Sequence, residues 1–363
     1  MKRTVTLLIV LCLLLCACGP TYEVPYAPST GETVDTTAAA TEDTTAPTDA
    51  PVLYQHPLTG EPMDTLYTDR PTAIVINNIK ACLPQYGISN ADMVYEIETE
   101  GGITRLLAIF SDFDNVGSIG PVRSARTYFI NVAASYNAPL AHCGGSVSAL
   151  QGKYDKTHQL SNWEHIDQRS NGSFFYRDQQ RRKQGFALEH TLFTTGESMV
   201  EVLAKKKYNT VTETGVDYGL QFAEDVSLNG SVANKVTVTF KGKKTTTMTY
   251  NATTGLYKAS QYKKDHVDAG TGKNMEYKNV LVLAAKQSRV KEGSYTRSYY
   301  DLQGEGTGYF ACNGKMIPIK WAHNAVTDSF TYTMEDGTPL TLGIGTSYVA
   351  VVDTQSPAGV TCE

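Results

Sequence analysis

Residues 93–110 constrain this chain's fold more than any other stretch. From Met93 to Glu100, Glu96, Glu98 and Glu100 alternate with Tyr95, Ile97 and Thr99. That period of two belongs to a β-strand with carboxylates on one face and large side chains on the other. Gly101-Gly102 follows directly, and paired glycines supply the positive φ that a two-residue hairpin turn requires. The apolar run at 106–110 continues the returning arm, and a two-residue turn places Glu98 opposite Arg105. Charges this close inside apolar strands must pair with one another or hold a ligand.

The next segment supplies the counter-charges. GSIGPVRSAR at 117–126 reads as a loop entering a helix over 121–136, because proline costs no hydrogen bond at the first helical position. Arg123 and Arg126 would then share one side of its N-terminus, where free N–H groups and the helix dipole favour an anion. A buried strand at 138–143 carries His142 to Gly144-Gly145-Ser146, and a short helix at 147–154 follows. Strand ends beside helix starts are where α/β folds place ligands. The candidate binding residues are therefore Arg105, Arg123, Arg126, His142 and Ser146, with Glu96 or Glu98 orienting the guanidiniums. The group they would take is a carboxylate, a phosphate or a peptide-like moiety.

The amino terminus sets the location. Lys2-Arg3 and the apolar run at 5–15 form a signal peptide over 1–17, too short to span a bilayer. Leu15-Cys16-Ala17-Cys18-Gly19 resembles the lipobox of bacterial lipoproteins, which makes Cys18 the expected lipidation site and the membrane the expected partner. Residues 18–69 read as a tether rich in Thr, Ala and Pro, with nine acids and no Lys or Arg. Such a segment cannot bury enough surface to offset its ordering entropy, and it would span on the order of 40 Å. With −5 overall, +2 in the signal and −9 in the tether, residues 70–363 carry only +2. A nucleic-acid binder would show a clear basic excess.

Residues 70–206 mix strands and helices, including an apolar strand at 72–77 and a helix starting near Thr194, with Glu197 completing a capping box. From 207 to 363 alternating strands dominate, at 235–240, 245–250, 279–284, 308–312, 316–321, 329–334 and 348–352, punctuated by turn signals such as Asn313-Gly314 and Asp336-Gly337. The fold class is α/β (α+β), an α/β amino-terminal domain followed by a β-rich domain that could complete a sheet of the first. Cys82, Cys143, Cys312 and Cys362 lack metal-binding spacing and read as buried free thiols.

RPTAIVINN, PQYGISNADMVYEIETEGGITRLLAIF, GPVRSAR, AHCGGS and FYRD, followed by GTGYF, NGK and IKW, resemble the YerB-like lipoproteins of Gram-positive bacteria in content and order. The resemblance runs from Arg70 to about Val352. It implies a layered sheet-sheet-helix amino-terminal domain and a β-rich carboxy-terminal domain, and it implies no activity. The chain departs from that pattern at Leu188-Glu189-His190-Thr191, where the family tends to carry Pro-His-Asn.

Sharper chemistry fares less well. Gly144-Gly145-Ser146-Val147-Ser148 lacks the last glycine of a nucleophile elbow, and Gly270-Thr271-Gly272-Lys273 lacks both ends of a phosphate loop. The seven histidines show no metal-ligand spacing, and no cofactor is expected. Glu96, Glu98 and Glu100 could supply a carboxylate pair for glycan cleavage. An ion-pair network with Arg105, Arg123 and Arg126 accounts for the same residues and is the preferred reading. Two functions remain open: a lipid-anchored binding or scaffold protein of the envelope with a cell-wall or protein ligand, and an envelope hydrolase or transferase using the glutamates and His142.

Overall fold

The computed structural model describes residues 54–152, 159–208, 215–354 and 359–363. The signal peptide, Cys18 and the tether up to residue 53 lie outside the described residues. The tether as read ends too late, however. Leu58 and Tyr67 are buried, and Tyr54–Gln55 pairs with Pro62–Met63, so the packed body already includes residues 54–69.

The expected hairpin stands at the centre. Met93–Glu98 pairs antiparallel with Thr104–Phe110, which pairs in turn with Thr72–Asn77, and every residue of the three strands is buried. The other edge of Met93–Glu98 takes Ser347–Asp353 in parallel, with Glu96 beside Ala350. Asn279–Glu292, Gly304–Cys312 and Lys315–His323 continue outward from there, while Leu140–His142 and His165–Asp167 extend the opposite side. The product is a twelve-stranded mixed sheet built by both halves of the chain. Residues Pro51–Glu363 accordingly form one compact unit.

Each face of this sheet has its own core. Tyr95, Ile97, Leu107 and Val349 pack against the helix Thr127–Ser135, whose residues are all buried. Val94, Leu106, Ile76 and Ala350 pack against a six-stranded sheet that includes Lys235–Thr239, Thr245–Asn251 and Leu256–Gln261. The helix Gly196–Lys206 adds Met199 and Val202 to that side. The layering is thus helix, large sheet, small sheet. The first half mixes helices with strands and the second is nearly all strand, as expected. The second sheet of the layered arrangement comes from the carboxy-terminal half.

Three local expectations are corrected. The hairpin turn has three residues, Glu100–Gly102, closed by the Thr99 N–H donating to the Ile103 carbonyl at 2.7 Å. The extra residue shifts the register by one, so Glu98 faces Thr104 and Ile97 faces Arg105. A one-residue shift changes the face, which puts Arg105 on the helix side and Glu96 and Glu98 on the side of the second sheet.

The helix begins at Thr127, not Pro121. Residues 121–125 instead bond outward: the Asn77 N–H donates to the Pro121 carbonyl at 2.8 Å, the Arg123 N–H to Val75 at 2.8 Å and the Ala125 N–H to Gly144 at 2.9 Å. Backbone groups engaged in ladders cannot also close helical turns. The later helix is capped by Thr195, whose hydroxyl accepts from the Ser198 N–H at 3.1 Å, because Thr194 bonds the Phe174 carbonyl.

Candidate functional site

The three glutamates of the hairpin lie in three different environments. Glu96 is enclosed between the sheets. Its Oε1 accepts from Asn78 Nδ2 at 2.9 Å, Thr104 Oγ1 at 2.5 Å and Lys244 Nζ, and its Oε2 accepts from Thr246 Oγ1 at 2.8 Å and the Tyr348 hydroxyl at 2.7 Å. Burial by itself would raise the Glu96 pKa, but Lys244 and the hydroxyl donors outweigh it and hold the carboxyl below its usual range. Burial also pulls the Lys244 ammonium down against Glu96. Donors gathered on both carboxyl oxygens favour the ionised form of Glu96.

Glu98 accepts from the Gly242 N–H at 2.7 Å and from Gln287 Nε2 at 3.3 Å, which ties the hairpin to a turn and a strand of the second half. Glu100, at the turn, receives Arg126 through Nε at 3.0 Å and through Nη2, and also receives Arg297 Nη1. Arg105 Nη2 stands 3.9 Å away. Burial opposes ionisation of Glu100, yet Arg126 and Arg105 bring its pKa down to about 2. Arg105 has the reverse problem, since burial and the adjacent Arg126 lower its pKa to about 9. Its Nη1 donates to the Ser124 carbonyl at 2.5 Å, and its Nε is buried without an acceptor.

The structure therefore brings Arg105 and Arg126 together, with Arg123 near enough to act on Arg105. Arg123 keeps 22% of its side chain exposed and has a loose pair with Glu189 at 3.6 Å. His142 and Ser146 do not join this group. His142 Nδ1 meets the Gly144 carbonyl at 2.8 Å and Nε2 meets His165 Nδ1 at 3.0 Å. Burial lowers the His142 pKa to about 4. A neutral ring with Nδ1–H on the carbonyl leaves Nε2 to accept from His165.

Ser146 caps the short helix Val147–Gln151 by accepting from the Ala149 N–H at 3.2 Å. The anion at that helix start is Glu292, which accepts from Val147 N at 2.8 Å and Ser148 N at 3.1 Å. Sequence reasoning missed Lys244, Glu292 and Arg297. The first lies in a Gly-Lys-Lys turn that reads as solvent-facing, and the other two lie in a hairpin of the second half.

A general acid or base must reach a reacting group. Glu96, Glu98 and His142 are buried and bonded inside the fold, so the arrangement suits holding the two sheets together better than proton transfer. Cys82 and Cys312 are buried free thiols, while Cys143 and Cys362 are half-buried. Among the described residues no group of three His, Cys, Asp or Glu could hold a metal ion, and no helix is long and apolar enough to cross a membrane.

Comparison with known proteins agrees with the whole body. The family described as "Protein of unknown function (DUF3048) N-terminal domain" matches residues 58–209, and its C-terminal domain matches residues 236–349. The "Putative lipoprotein YerB" of Bacillus subtilis (strain 168) is 28% identical over 269 residues, covering 73% of this chain and 77% of that protein. The crystal structure of YerB from Bacillus subtilis aligns with a TM-score of 0.70 at 25% identity, over 85% of this chain and 99% of that one. The chain belongs to the YerB-like DUF3048 family of Gram-positive bacteria.

Proposed function

We propose that this protein is a non-catalytic binding protein of the cell envelope, held on the extracytoplasmic face by lipid on Cys18. The leader around Leu15 to Cys18 and the naming of the Bacillus subtilis relative as a lipoprotein support the anchor. The seat for an anionic group of the ligand is the arginine cluster at the hairpin turn. One observation carries this reading: Arg105, Arg126 and Arg297 converge on Glu100, with Glu292 at 3.8 Å from Arg297 as the other acid of the cluster, and Arg105 Nε is buried with no acceptor from the protein. Positive charge in excess of its internal partners attracts an anion. Arg123 and Arg297 are the part-exposed members that a ligand reaches first.

The experiment is calorimetric titration of the full chain in detergent with inorganic phosphate and with acetate. Arg123→Met should weaken binding about tenfold, equivalent to about 1.4 kcal/mol, with the melting temperature unchanged. Binding that is indifferent to this change, or no binding of either anion, refutes the assignment.

A further inference from the structure

A second feature stands apart from the arginine cluster. Where the first half's segment Lys80 to Gln85 faces the turn after Leu256–Gln261, a cavity of about 320 Å³ is lined by Leu83, Pro84, Gln261, Tyr262, His266 and their neighbours. The buried polar side chains of its wall are largely in use, with one exception. Gln85 Nε2 donates to the Asn77 carbonyl at 2.9 Å and to Asn78 Oδ1 at 2.8 Å, and its Oε1 accepts from His266 Nε2 at 2.9 Å. The Tyr262 hydroxyl donates to the Asn78 carbonyl at 2.8 Å. Gln261 is the exception: it is 3% exposed, and both its Oε1 and its Nε2 are buried with no partner from the protein.

An amide with neither hydrogen bond made is costly in a folded chain, and native proteins rarely retain one without a use. The fold offers it nothing. Gln261 lies on the inward face of its strand, in register with Thr246, whose hydroxyl is taken by Glu96 and Lys244. The group that satisfies it, water or ligand, comes through the cavity.

The chemistry of the cavity defines the visitor. A primary amide offers a donor and an acceptor side by side, which match the N–H and C=O that one extended peptide residue presents along the same edge. Lys80 and Lys264 stand exposed at the rim beside Asp265, whose carboxylate is paired with Lys258 at 3.1 Å, so the rim keeps net positive charge. Leu83, Pro84 and Val267 give apolar wall for a small side chain. The volume lies at the small end of ligand pockets. We infer that this cavity binds the carboxy-terminal end of a short peptide, the N–H and C=O of its penultimate residue on Gln261 and its carboxylate between Lys80 and Lys264.

The site is separate from the proposed anion seat, because none of the residues around Glu100 lines it. An acetamido sugar shares the amide chemistry and lacks the carboxylate, so it serves as the contrasting probe.

The test is calorimetric titration of the full chain in detergent with N-acetyl-Ala-Ala, with its carboxy-terminal amide and with N-acetylglucosamine. The acid form should bind saturably, and the amidated form several-fold more weakly. Gln261→Leu should lose at least tenfold in affinity for the acid form while its unliganded melting temperature holds or rises, because the amide makes no internal bond. Lys264→Met, at an exposed position, should weaken the acid form and leave the amidated form unchanged. Arg123→Met should bind the peptide as the wild type does, which separates failure here from failure of the anion seat. Binding unchanged in Gln261→Leu, preference for N-acetylglucosamine over the peptide, absence of peptide binding, or marked destabilisation by Gln261→Leu would each overturn the inference.

Discussion

Replacing Lys244 by Met isolates the innermost ion pair. The Lys244 and Glu96 side chains are 3% and 2% exposed, so the substitution leaves a carboxylate enclosed between two sheets with no cation. Removing one member of a buried pair costs about 3–5 kcal/mol. Asn78, Thr104, Thr246 and Tyr348 still donate to Glu96, which places the expected loss near the lower end, about 3 kcal/mol. Urea unfolding at pH 7 measures it. The sign of the pH dependence is a second signature. Without its cation, Glu96 should have a folded pKa above its unfolded value, so the folded variant binds the extra proton as pH falls and its deficit shrinks. Adding Glu96→Gln to Lys244→Met removes the stranded charge and should recover a large part of the loss. A single-variant loss below about 1 kcal/mol, typical of a surface pair, refutes the reasoning, as does a deficit that does not change with pH.

Burial lowers the pKa of His142 and of His266 to about 4, so their contribution to stability is complete above about 6.5 and is lost as pH falls from there towards 4. Asp92, raised to about 6 by burial, opposes this over part of the same range. Urea midpoints should still fall between pH 7 and 5, and His266→Gln should flatten that fall. Glu100, held at about 2, contributes stability above its ordinary value of 4.5 that is lost as pH falls towards 2, so Glu100→Gln should lower the pH 7 midpoint and blunt acid unfolding below pH 4.5. Gly102→Ala would put a Cβ 2.8 Å from Gly242 Cα at a φ of +71°, and should destabilise by at least 1 kcal/mol on the scale of left-handed strain; calorimetric melting checks it. Cys18→Ala should abolish incorporation of radiolabelled lipid, and undiminished labelling would contradict the anchor.

Strands of the second half such as Lys235–Thr239 and Thr245–Asn251 were legible because they bury alternate residues and leave the others towards solvent, which is the pattern that periodicity detects, whereas Leu256–Gln261 alternates too and was missed. Met93–Glu98 alternates as well and is the strand that was read, with its carboxylates on one face, but alternation does not report what covers that face. Both of its faces are buried, and the glutamate face meets a second sheet rather than water. Of the expected network, Glu100 keeps Arg126 and Arg105 and gains Arg297, while Glu96 and Glu98 find other partners. Lys244 and Arg297 are 148 and 197 residues from the carboxylates they pair with, and no local spacing reports such contacts. Pro121 is a sound helix-start signal by itself; it loses to the ladder that residues 121–125 make with Thr72–Asn77 and Gly144. The two-residue turn failed by a single residue, and in a strand that suffices to move Arg105 to the other face.

The hairpin's carboxylates bond to groups of the second half and should seal the two halves into one folding unit. Hydrogen exchange followed by mass spectrometry, comparing Met93–Glu98 with its parallel neighbour Ser347–Asp353, tests it most directly. The account predicts that both strands open with the same free energy, equal to that of global unfolding, and that Lys244→Met lowers the two together. Exchange of Ser347–Asp353 at a lower free energy while Met93–Glu98 remains protected, or a Lys244→Met effect confined to one of them, would contradict it.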